Sequence, residues 1–352
     1  MRYGPVLTFS LAIALSCNGS KSTYDDRPSP AEAPRSFPVS VPGRAAEPLV
    51  LYTPDALPPP GPTTAEVTGL ALAGSEVYFV DSVEGVLRAS LQDGSAVGLT
   101  GLDRPLALPT VAAKHLYLVG DNDLVSVPRR AGPLSVIRDR LANPRGLAIQ
   151  AGYAYVTTGQ WLGRGPGGPD GKIVRIALSD GARTDLATGL PGPISVAVDD
   201  DHAYWTCQGA VMRAPIAGGR PETLASFDDK YPWHIALDDE YVYTMVETGV
   251  GVDLYRLRKN DGTSLRLAHM KTMPASVAVA DGAIHFVAES DQRNVGTLWR
   301  LEVRTARLIT VATGLAASCC VAADDEHLAW TAGRDVFWMK HAEREVHRVL
   351  AR

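Results

Sequence analysis

The segment VAVDDDHAYWTCQGAVMR at residues 196–213 contains three short apolar runs separated by two turns. The first run surrounds Ala197, the second contains Tyr204, and the third ends at Arg213. Aspartates at 199–201 and a glycine at 209 separate the runs. Aspartate bonds to its local backbone and glycine tolerates positive φ, so both residue types favour turns. The pattern therefore predicts three consecutive antiparallel strands joined by hairpins.

The same arrangement recurs along the chain at intervals of 38 to 49 residues. Alignment of the second strands brings these residues to the position of Tyr204: Tyr78, Tyr117, Tyr155, Tyr243, His285 and Ala329. A fourth short strand follows the third, and a period near 40 residues with four strands per unit is typical of propeller blades. The sequence predicts an all-β protein, a β-propeller of seven four-stranded blades from about residue 66; six or eight blades are the alternatives.

Alanine occupies the centre of the first strand in six of the seven repeats. These alanines are Ala71, Ala148, Ala197, Ala236, Ala278 and Ala322. The first strand of a blade lies nearest the propeller axis, where neighbouring sheets crowd together and small side chains fit best. The second repeat differs, with Pro-Thr-Val at 109–111.

The N-terminus has the features of an export signal over residues 1–17. Arg2 precedes an apolar run over 6–15 that is too short to span a bilayer, and Ala-Leu-Ser-Cys ends at Cys17. These four residues resemble the lipobox of bacterial lipoproteins, although the usual leucine is replaced by Ala14. The resemblance implies acylation of Cys17 and an extracytoplasmic, lipid-anchored protein in the periplasm or at the outer membrane, contacting the membrane only through this anchor. An ordinary cleaved signal peptide is the alternative.

A proline-rich linker is predicted over residues 18–46, because this polar segment cannot bury enough apolar surface to fold. The propeller domain is assigned to residues 47–352. Within it, the apolar segment 49–52 resembles the fourth strands of the blades. We expect it to pair beside residues 336–338 and to close the ring, leaving the C-terminal segment 345–350 as an added edge or loosely held.

Charge and cysteine content exclude several classes of function. The formal net charge of −5 provides no basic surface for nucleic acid. Cys207, Cys319 and Cys320 form no CxxC pair with metal-ligand spacing, so no zinc site is expected. Adjacent cysteines either close a vicinal disulfide or stay reduced; successive residues of a strand point to opposite sides, so Cys319 and Cys320 are predicted to be reduced thiols.

The repeats also resemble a known family. Tyr-Trp-Thr-Cys at 204–207, Tyr-Phe-Val-Asp at 78–81 and Ala-Trp-Thr at 329–331 are similar to the YWTD motif of the low-density-lipoprotein-receptor class B repeats. This resemblance implies a propeller fold, generally with six blades in that family. It does not choose a function, because one fold serves receptors, lyases and lactonases alike.

Candidate site residues converge on one face, called the top face below, which carries the second-to-third-strand loops and the crossings between blades. Second strands end there at Asp81, Asp121, Glu247 and Glu289, and first strands begin there near Arg145 and His234. The third blade has a glycine-rich insertion over 159–171 that contains Trp161 and Arg164. This insertion either contacts a ligand or is a solvated loop whose tryptophan folds back onto its blade.

Two functions follow from these residues. The first is a binding scaffold for a protein, peptide or glycan, with these ligand-binding candidates: Asp81, Arg145, Trp161, Arg164, His234, Glu247 and Glu289. The second is a metal-assisted hydrolase or lyase that uses His234, Glu247 and Glu289 at the channel mouth. A divalent metal would be needed only in the second case, and no other cofactor is predicted.

Overall fold

The computed structural model describes residues 67–102, 106–160, 170–228, 230–289, 295–316, 319–333, 335–342 and 347–349. These residues form seven four-stranded antiparallel sheets, each built from four consecutive strands. The inner strand of each sheet packs against that of the next, and the last packs against the first. The prediction of a seven-bladed propeller is confirmed.

Each blade takes four strands in chain order. Blades 1 to 4 contain β1 Val67–Ala73, β2 Glu76–Asp81, β3 Gly85–Ser90, β4 Ala96–Thr100; β5 Ala107–Val111, β6 His115–Gly120, β7 Asp123–Pro128, β8 Ser135–Arg138; β9 Gly146–Gln150, β10 Tyr153–Thr158, β11 Gly171–Ala177, β12 Arg183–Leu190; and β13 Val196–Val198, β14 His202–Cys207, β15 Ala210–Pro215, β16 Glu222–Ser226. Blades 5 to 7 contain β17 Tyr231–Leu237, β18 Tyr241–Glu247, β19 Val252–Arg258, β20 Ser264–Met270; β21 Ser276–Ala280, β22 Ala283–Glu289, β23 Val295–Glu302, β24 Arg307–Ala316; and β25 Val321–Ala323, β26 His327–Ala332, β27 Asp335–Lys340, β28 His347–Val349.

The strand register confirms the alignment of the repeats. In blade 4, Ala197 pairs with Tyr204, which pairs in turn with Arg213. The same alanine–tyrosine–arginine row crosses blades 1, 3 and 5, and in blade 6 a histidine replaces the tyrosine. The central small residue therefore lies on the inner strand in each of these blades, as crowding near the axis requires.

Large side chains fill the junctions between neighbouring blades. Trp205, which is fully buried, packs with Leu186 and Ala187 of blade 3. At the closing junction, Phe79 of blade 1 packs with Val336 and Trp338 of blade 7. Burial of one such side chain contributes roughly 1.5–3 kcal/mol, so these apolar contacts are the main force that holds the ring together.

Arginines of the third strands in blades 1, 3 and 4 link each of these blades to the next. Arg88 Nη1 donates to the carbonyl oxygen of Arg129 at 3.4 Å, and Arg175 Nη1 donates to that of Ile216 at 2.5 Å. Arg213 Nη1 donates in the same way to the carbonyl oxygen of Lys259. Each acceptor lies just after the end of a third strand, on the face opposite the top, called the bottom face below. The repeated arginine thus has a structural role between blades.

Threonines of the second strands make a corresponding link near the top face. Thr157 Oγ1 donates to the carbonyl oxygen of Ile194 in blade 4 at 2.9 Å, and Thr206 Oγ1 donates to that of Trp233 in blade 5 at 3.2 Å. Thr206 Oγ1 also accepts from the backbone N–H of Ser195 at 3.1 Å. The third residue of the Tyr-Trp-Thr motif therefore fixes the start of two first strands.

Ring closure differs from the expectation based on the sequence. β28 pairs with β27 through Val336 with Val349 and Trp338 with His347, so the C-terminus supplies the fourth strand of blade 7. The prediction that residues 49–52 occupy the position beside 336–338 is wrong, and residues 49–52 themselves lie outside the described residues. A strand adjacent in sequence closes a much shorter loop, which costs less entropy than recruiting a distant segment.

The state of Cys319 and Cys320 also differs from the expectation. The two adjacent residues form a disulfide bond. They precede β25, which begins at Val321, so the alternation of side chains within a strand does not separate their sulfur atoms. The prediction of reduced thiols is wrong for this reason, while Cys207 is a buried free thiol.

Candidate functional site

A cluster of polar and aromatic side chains lies on the top face at the junction of blades 4 and 5. It comprises Gln208, Tyr231, Trp233 and Glu247, together with His234 as the chain neighbour of Trp233 in β17, and is called the blade 4/5 cluster below. β17 begins at Tyr231 and β18 ends at Glu247, and these two residues are paired in the sheet. Gln208 immediately follows β14, so three strand ends place the cluster.

A β-bulge in β17 directs two members of the blade 4/5 cluster. The register shifts between Pro232 and Ile235, and Trp233 and His234 occupy the shift. A bulge locally interrupts the ladder and redirects side chains, and bulges are frequent next to functional sites. In β17 it buries the Trp233 ring and leaves the adjacent His234 half-buried.

Hydrogen bonds fix the orientation of these side chains. Trp233 Nε1 donates to Glu247 Oε2 at 3.3 Å, and Gln208 Nε2 donates to the Tyr231 hydroxyl at 3.3 Å. The second bond joins blade 4 to blade 5. The blade 4/5 cluster is consequently held by the scaffold on both sides of the junction, which favours a preformed binding surface.

His234 is held as a neutral imidazole in one tautomer. Its Nε2 lies 3.0 Å from the carbonyl oxygen of Pro274 in the crossing to blade 6. A carbonyl oxygen only accepts, so Nε2 carries the proton and Nδ1 does not. Burial lowers the pKa of His234 below its usual value, which the hydrogen bond to Pro274 only partly offsets.

Two other candidates lie on the top face with local roles. Asp81 is buried at the end of β2, where its Oδ1 accepts from the backbone N–H groups of Val83 at 2.8 Å and Glu84 at 2.9 Å. Asp81 Oδ1 therefore stabilises the turn between β2 and β3 by accepting these two backbone hydrogen bonds. Arg145 is half-buried before β9, its backbone N–H donates to Thr157 O at 3.0 Å, and burial lowers the pKa of its guanidinium.

The remaining candidates lie at the edge of the described residues or outside them. Glu289 is the last residue of β22 and pairs through its backbone with Gly296. Trp161 and Arg164 lie outside the described residues. The structure places Glu247 beside Trp233 and directs His234 Nε2 towards Pro274 in the crossing to blade 6, and it adds Gln208 and Tyr231, which the sequence did not single out. Their only signal is a position at a strand end on the top face.

Metal-binding clusters and membrane-spanning helices are both missing from the described parts of the chain. No group of three or more His, Cys, Asp or Glu side chains there is arranged to hold a metal ion. Among the same residues there is no helix that is long and apolar enough to cross a membrane.

The disulfide between Cys319 and Cys320 lies at the junction of blades 7 and 1, where the crossing into blade 7 meets the top face. Thr331 Oγ1 accepts from the backbone N–H groups of Cys319 at 3.3 Å and Cys320 at 3.2 Å. The Cys319 sulfur also contacts the carbonyl oxygen of Val67 in β1 at 2.7 Å. The bonded pair therefore sits at the point where the last blade meets the first.

Comparison with known proteins identifies the fold and no sequence family. No protein-family model matches the chain, and no curated protein matches it in sequence. A chain of the nidogen/laminin complex, a YWTD β-propeller structure, is similar with a TM-score of 0.52 and 16% identity, over 67% of this chain and 93% of that chain. The comparison agrees with the propeller that the YWTD-like repeats implied.

Two enzymes share the same architecture. A puromycin-hydrolysing peptidase of Mycobacterium tuberculosis has a TM-score of 0.61 at 14% identity; the match covers 82% of this chain and 53% of the peptidase, about half of its length. A catalytically inactive virginiamycin B lyase of Staphylococcus aureus, solved with quinupristin, has a TM-score of 0.57 at 14% identity, over 80% of this chain and 93% of the lyase. At such identities the similarity shows the β-propeller fold alone.

Proposed function

We propose that this protein is an extracytoplasmic recognition scaffold that binds a protein, peptide or glycan through its top face, at the blade 4/5 cluster. The observation that carries the proposal is the pair of hydrogen-bonded aromatic residues at one junction, Trp233 with Glu247 and Tyr231 with Gln208. Aromatic rings combined with fixed amide and carboxylate groups are typical of surfaces that recognise peptides and sugars.

The hydrogen bonds favour binding over catalysis by Glu247. Its Oε2 accepts from Trp233 Nε1, so this carboxylate orients an aromatic ring of the scaffold. His234 is neutral, and its Nδ1 is left as a hydrogen-bond acceptor for a ligand. The blade 4/5 cluster thus offers a ligand both donors and acceptors without a large change in protonation at neutral pH.

The location outside the cytoplasm rests on the N-terminal sequence. A signal over 1–17 that ends at Cys17 and a proline-rich linker over 18–46 would hold the propeller away from a membrane surface. Lipid anchoring at Cys17, in the periplasm or at the outer membrane, belongs to the same proposal. The nidogen/laminin complex is an example of a similar fold that was solved in a protein complex.

A metal-assisted hydrolase or lyase remains the second candidate because of one observation on His234. Its Nδ1 has no hydrogen-bond partner among the described residues, and a neutral imidazole nitrogen is a metal ligand or a general base. The sequence-based hypothesis assigns the other two roles in this site to Glu247 and Glu289. Elemental analysis of the purified protein distinguishes the candidates, because a stoichiometric divalent ion lost in His234→Ala would favour the enzyme.

Binding is tested with glycan arrays and immobilised peptide libraries probed with the purified protein. Tyr231→Ala and His234→Ala should each weaken binding of the selected ligand by about tenfold, the effect of losing one or two well-formed polar contacts. Tyr153→Ala is the matched control, because Tyr153 is a partly exposed tyrosine at the start of β10 on the bottom face. Equal loss in all three variants, or a large fall in melting temperature with either test variant, would overturn the assignment to the blade 4/5 cluster.

A further inference from the structure

A basic pocket lies on the bottom face at the junction of blades 1 and 2. It is a cavity of about 740 Å³ whose polar lining comes from Glu76, Arg88, Lys114, His115, Arg129 and Arg130. Four of these six side chains are cationic and one is a carboxylate. The surplus of positive charge contrasts with the formal net charge of −5 for the whole chain.

The floor of the basic pocket is a fixed ion network. Glu76 pairs with Arg88 at 3.0 Å and with Arg129 at 2.8 Å. The Tyr78 hydroxyl donates to Glu76 Oε2 at 2.5 Å and accepts from Arg129 Nε at 2.6 Å. Arg129 Nη1 also donates to the carbonyl oxygen of Ala113 at 3.2 Å, so its guanidinium is held on three sides.

The single carboxylate of the basic pocket is therefore neutralised within the protein. Burial of Glu76 would raise its pKa, but hydrogen bonds from Tyr78 and Arg129 and the nearby guanidinium charges outweigh burial and hold that pKa below its usual value. Glu76 stays ionised, and its single negative charge is shared by Arg88 and Arg129. One of the two positive charges on these arginines is therefore not neutralised. An anionic ligand would meet little repulsion from Glu76.

Two further cations at the rim of the basic pocket are available to a ligand. Lys114 and Arg130 are exposed, and neither forms an ion pair with any residue that the structure describes. Lys114 ends the turn before β6, and Arg130 follows Arg129 after β7, so the first-to-second and third-to-fourth turns of blade 2 bring them together.

Comparison of the blades shows that the combination of these two cations is specific to blade 2. The corresponding first-to-second-strand turns are acidic in blades 4, 5 and 7, with DDD at 199–201, DDE at 238–240 and DDE at 324–326. In blade 2 the turn reads AAK at 112–114. In blade 5 the position of Lys114 is taken by Glu240 and that of Arg130 by Asn260. The repeat architecture therefore requires neither cation.

We propose that the basic pocket binds a tetrahedral oxyanion, a phosphate or sulfate group carried by a small molecule or by a lipid headgroup. Lys114 and Arg130 would pair with the anion at the rim, and the remaining donors of Arg88 would reach it from the floor. Charge-assisted hydrogen bonds to phosphate or sulfate are shorter and about twice as strong as neutral ones. Ala113 and Pro128 complete the lining of the basic pocket without adding a charge.

Calorimetric titration of the full chain with inorganic phosphate and with inorganic sulfate tests the proposal. Sedimentation with phosphatidic acid vesicles, against phosphatidylcholine vesicles, distinguishes a free ligand from a lipid headgroup. The double variant Lys114→Gln with Arg130→Gln removes two charge-assisted contacts. It should weaken binding by about tenfold or more for whichever of phosphate, sulfate or phosphatidic acid vesicles the wild-type protein binds saturably.

Arg220→Gln is the matched control. Arg220 is an exposed arginine in the third-to-fourth-strand turn of blade 4, and its substitution removes one positive charge where the double variant removes two. It should leave binding unchanged, and neither variant should change the melting temperature. The proposal is overturned if the wild-type protein shows no saturable binding in any arm, or if the double variant and the control weaken binding equally.

Discussion

The imidazole rings of His285 and His341 face each other across the junction of blades 6 and 7, with their centroids 5.3 Å apart. His285 is fully buried and occupies the position that is tyrosine in the first five blades. Burial, together with the charges of Arg300 and His341, lowers the pKa of His285 well below its usual value. The folded protein therefore holds this side chain neutral.

The buried histidine predicts that stability falls in mild acid. In the unfolded chain His285 takes up a proton near its ordinary pKa of about 6.5. In the folded protein its pKa is lower, so protonation requires a more acidic solution. Above the unfolded-state value the titration of His285 has no effect on stability. Below it, stability is lost by up to about 1.4 kcal/mol per pH unit until the folded-state pKa is reached. Urea unfolding at pH 7.5, 6.5 and 5.5 measures the loss.

Substitution of this residue identifies the source of the pH effect. His285→Tyr restores the residue of the other blades and removes the titrating group, so its loss of stability between pH 6.5 and 5.5 should be smaller by about 1 kcal/mol. His202→Gln, at a half-buried histidine of blade 4, is the control whose slope is compared with that of the wild type. If His285→Tyr retains the wild-type slope, other groups cause the acid sensitivity.

Anchoring can be tested independently of the propeller. Acylation requires the thiol of Cys17, so Cys17→Ala should move the protein from the membrane fraction to the soluble fraction of bacterial cells. Cys207→Ala, which changes a buried thiol of the propeller, should leave the distribution unchanged. A wild-type protein that is already soluble and begins at another residue would show that the signal is an ordinary cleaved one.

The sequence predicts the fold well because each blade repeats the same contacts. The row of Ala197, Tyr204 and Arg213 recurs with one register, so a period near 40 residues is sufficient to place it. The partner of Arg213 cannot be predicted in this way. It is a backbone carbonyl of the next blade, at Lys259, and its distance depends on how two sheets pack.

The candidate sites are harder to predict from the sequence than the fold, because they also depend on how neighbouring strands and blades pack. His234 and Glu247 stand out because a first strand begins near His234 and a second strand ends at Glu247 on the top face, but the bulge that contains Trp233 and His234 has no clear sequence signal. The basic pocket joins Arg88 to Lys114 and Arg130 across a blade junction. Arg88 is 26 residues before Lys114 in sequence, so only the structure shows this local excess.

The link from Arg213 to the next blade should contribute measurably to stability. Arg213→Met removes the hydrogen bond to Lys259 and leaves its carbonyl oxygen without that donor, which should cost about 1–2 kcal/mol in the free energy of unfolding. Arg213 also pairs with the exposed Glu222 at 2.6 Å. Glu222→Gln removes only this surface pair and should cost at most about 0.5 kcal/mol. Equal losses in urea titrations would show that the link between blades is not the stabilising contact.

The disulfide bond between Cys319 and Cys320 can be detected by counting the free thiols before and after reduction. Alkylation of the protein purified without reductant and then denatured should modify Cys207 and leave Cys319 and Cys320 unmodified. After reduction, the intact mass should rise by two further alkyl groups. Cys207→Ala provides the control, because it removes one modification under both conditions. Full modification of all the propeller cysteines without reductant would contradict the disulfide.

The C-terminal strand should be essential to blade 7. β28 covers the outer edge of β27, and its removal would expose the backbone donors and acceptors of Val336 and Trp338. An uncovered strand edge both destabilises a sheet and favours pairing with other chains. Deletion of residues 345–352 should therefore lower the thermal midpoint by several degrees and promote aggregation, measured by circular dichroism and light scattering. Deletion of residues 18–46, predicted as a linker, is the control and should change neither. If the two deletions have the same midpoint, His347–Val349 contribute nothing to the closure of the ring.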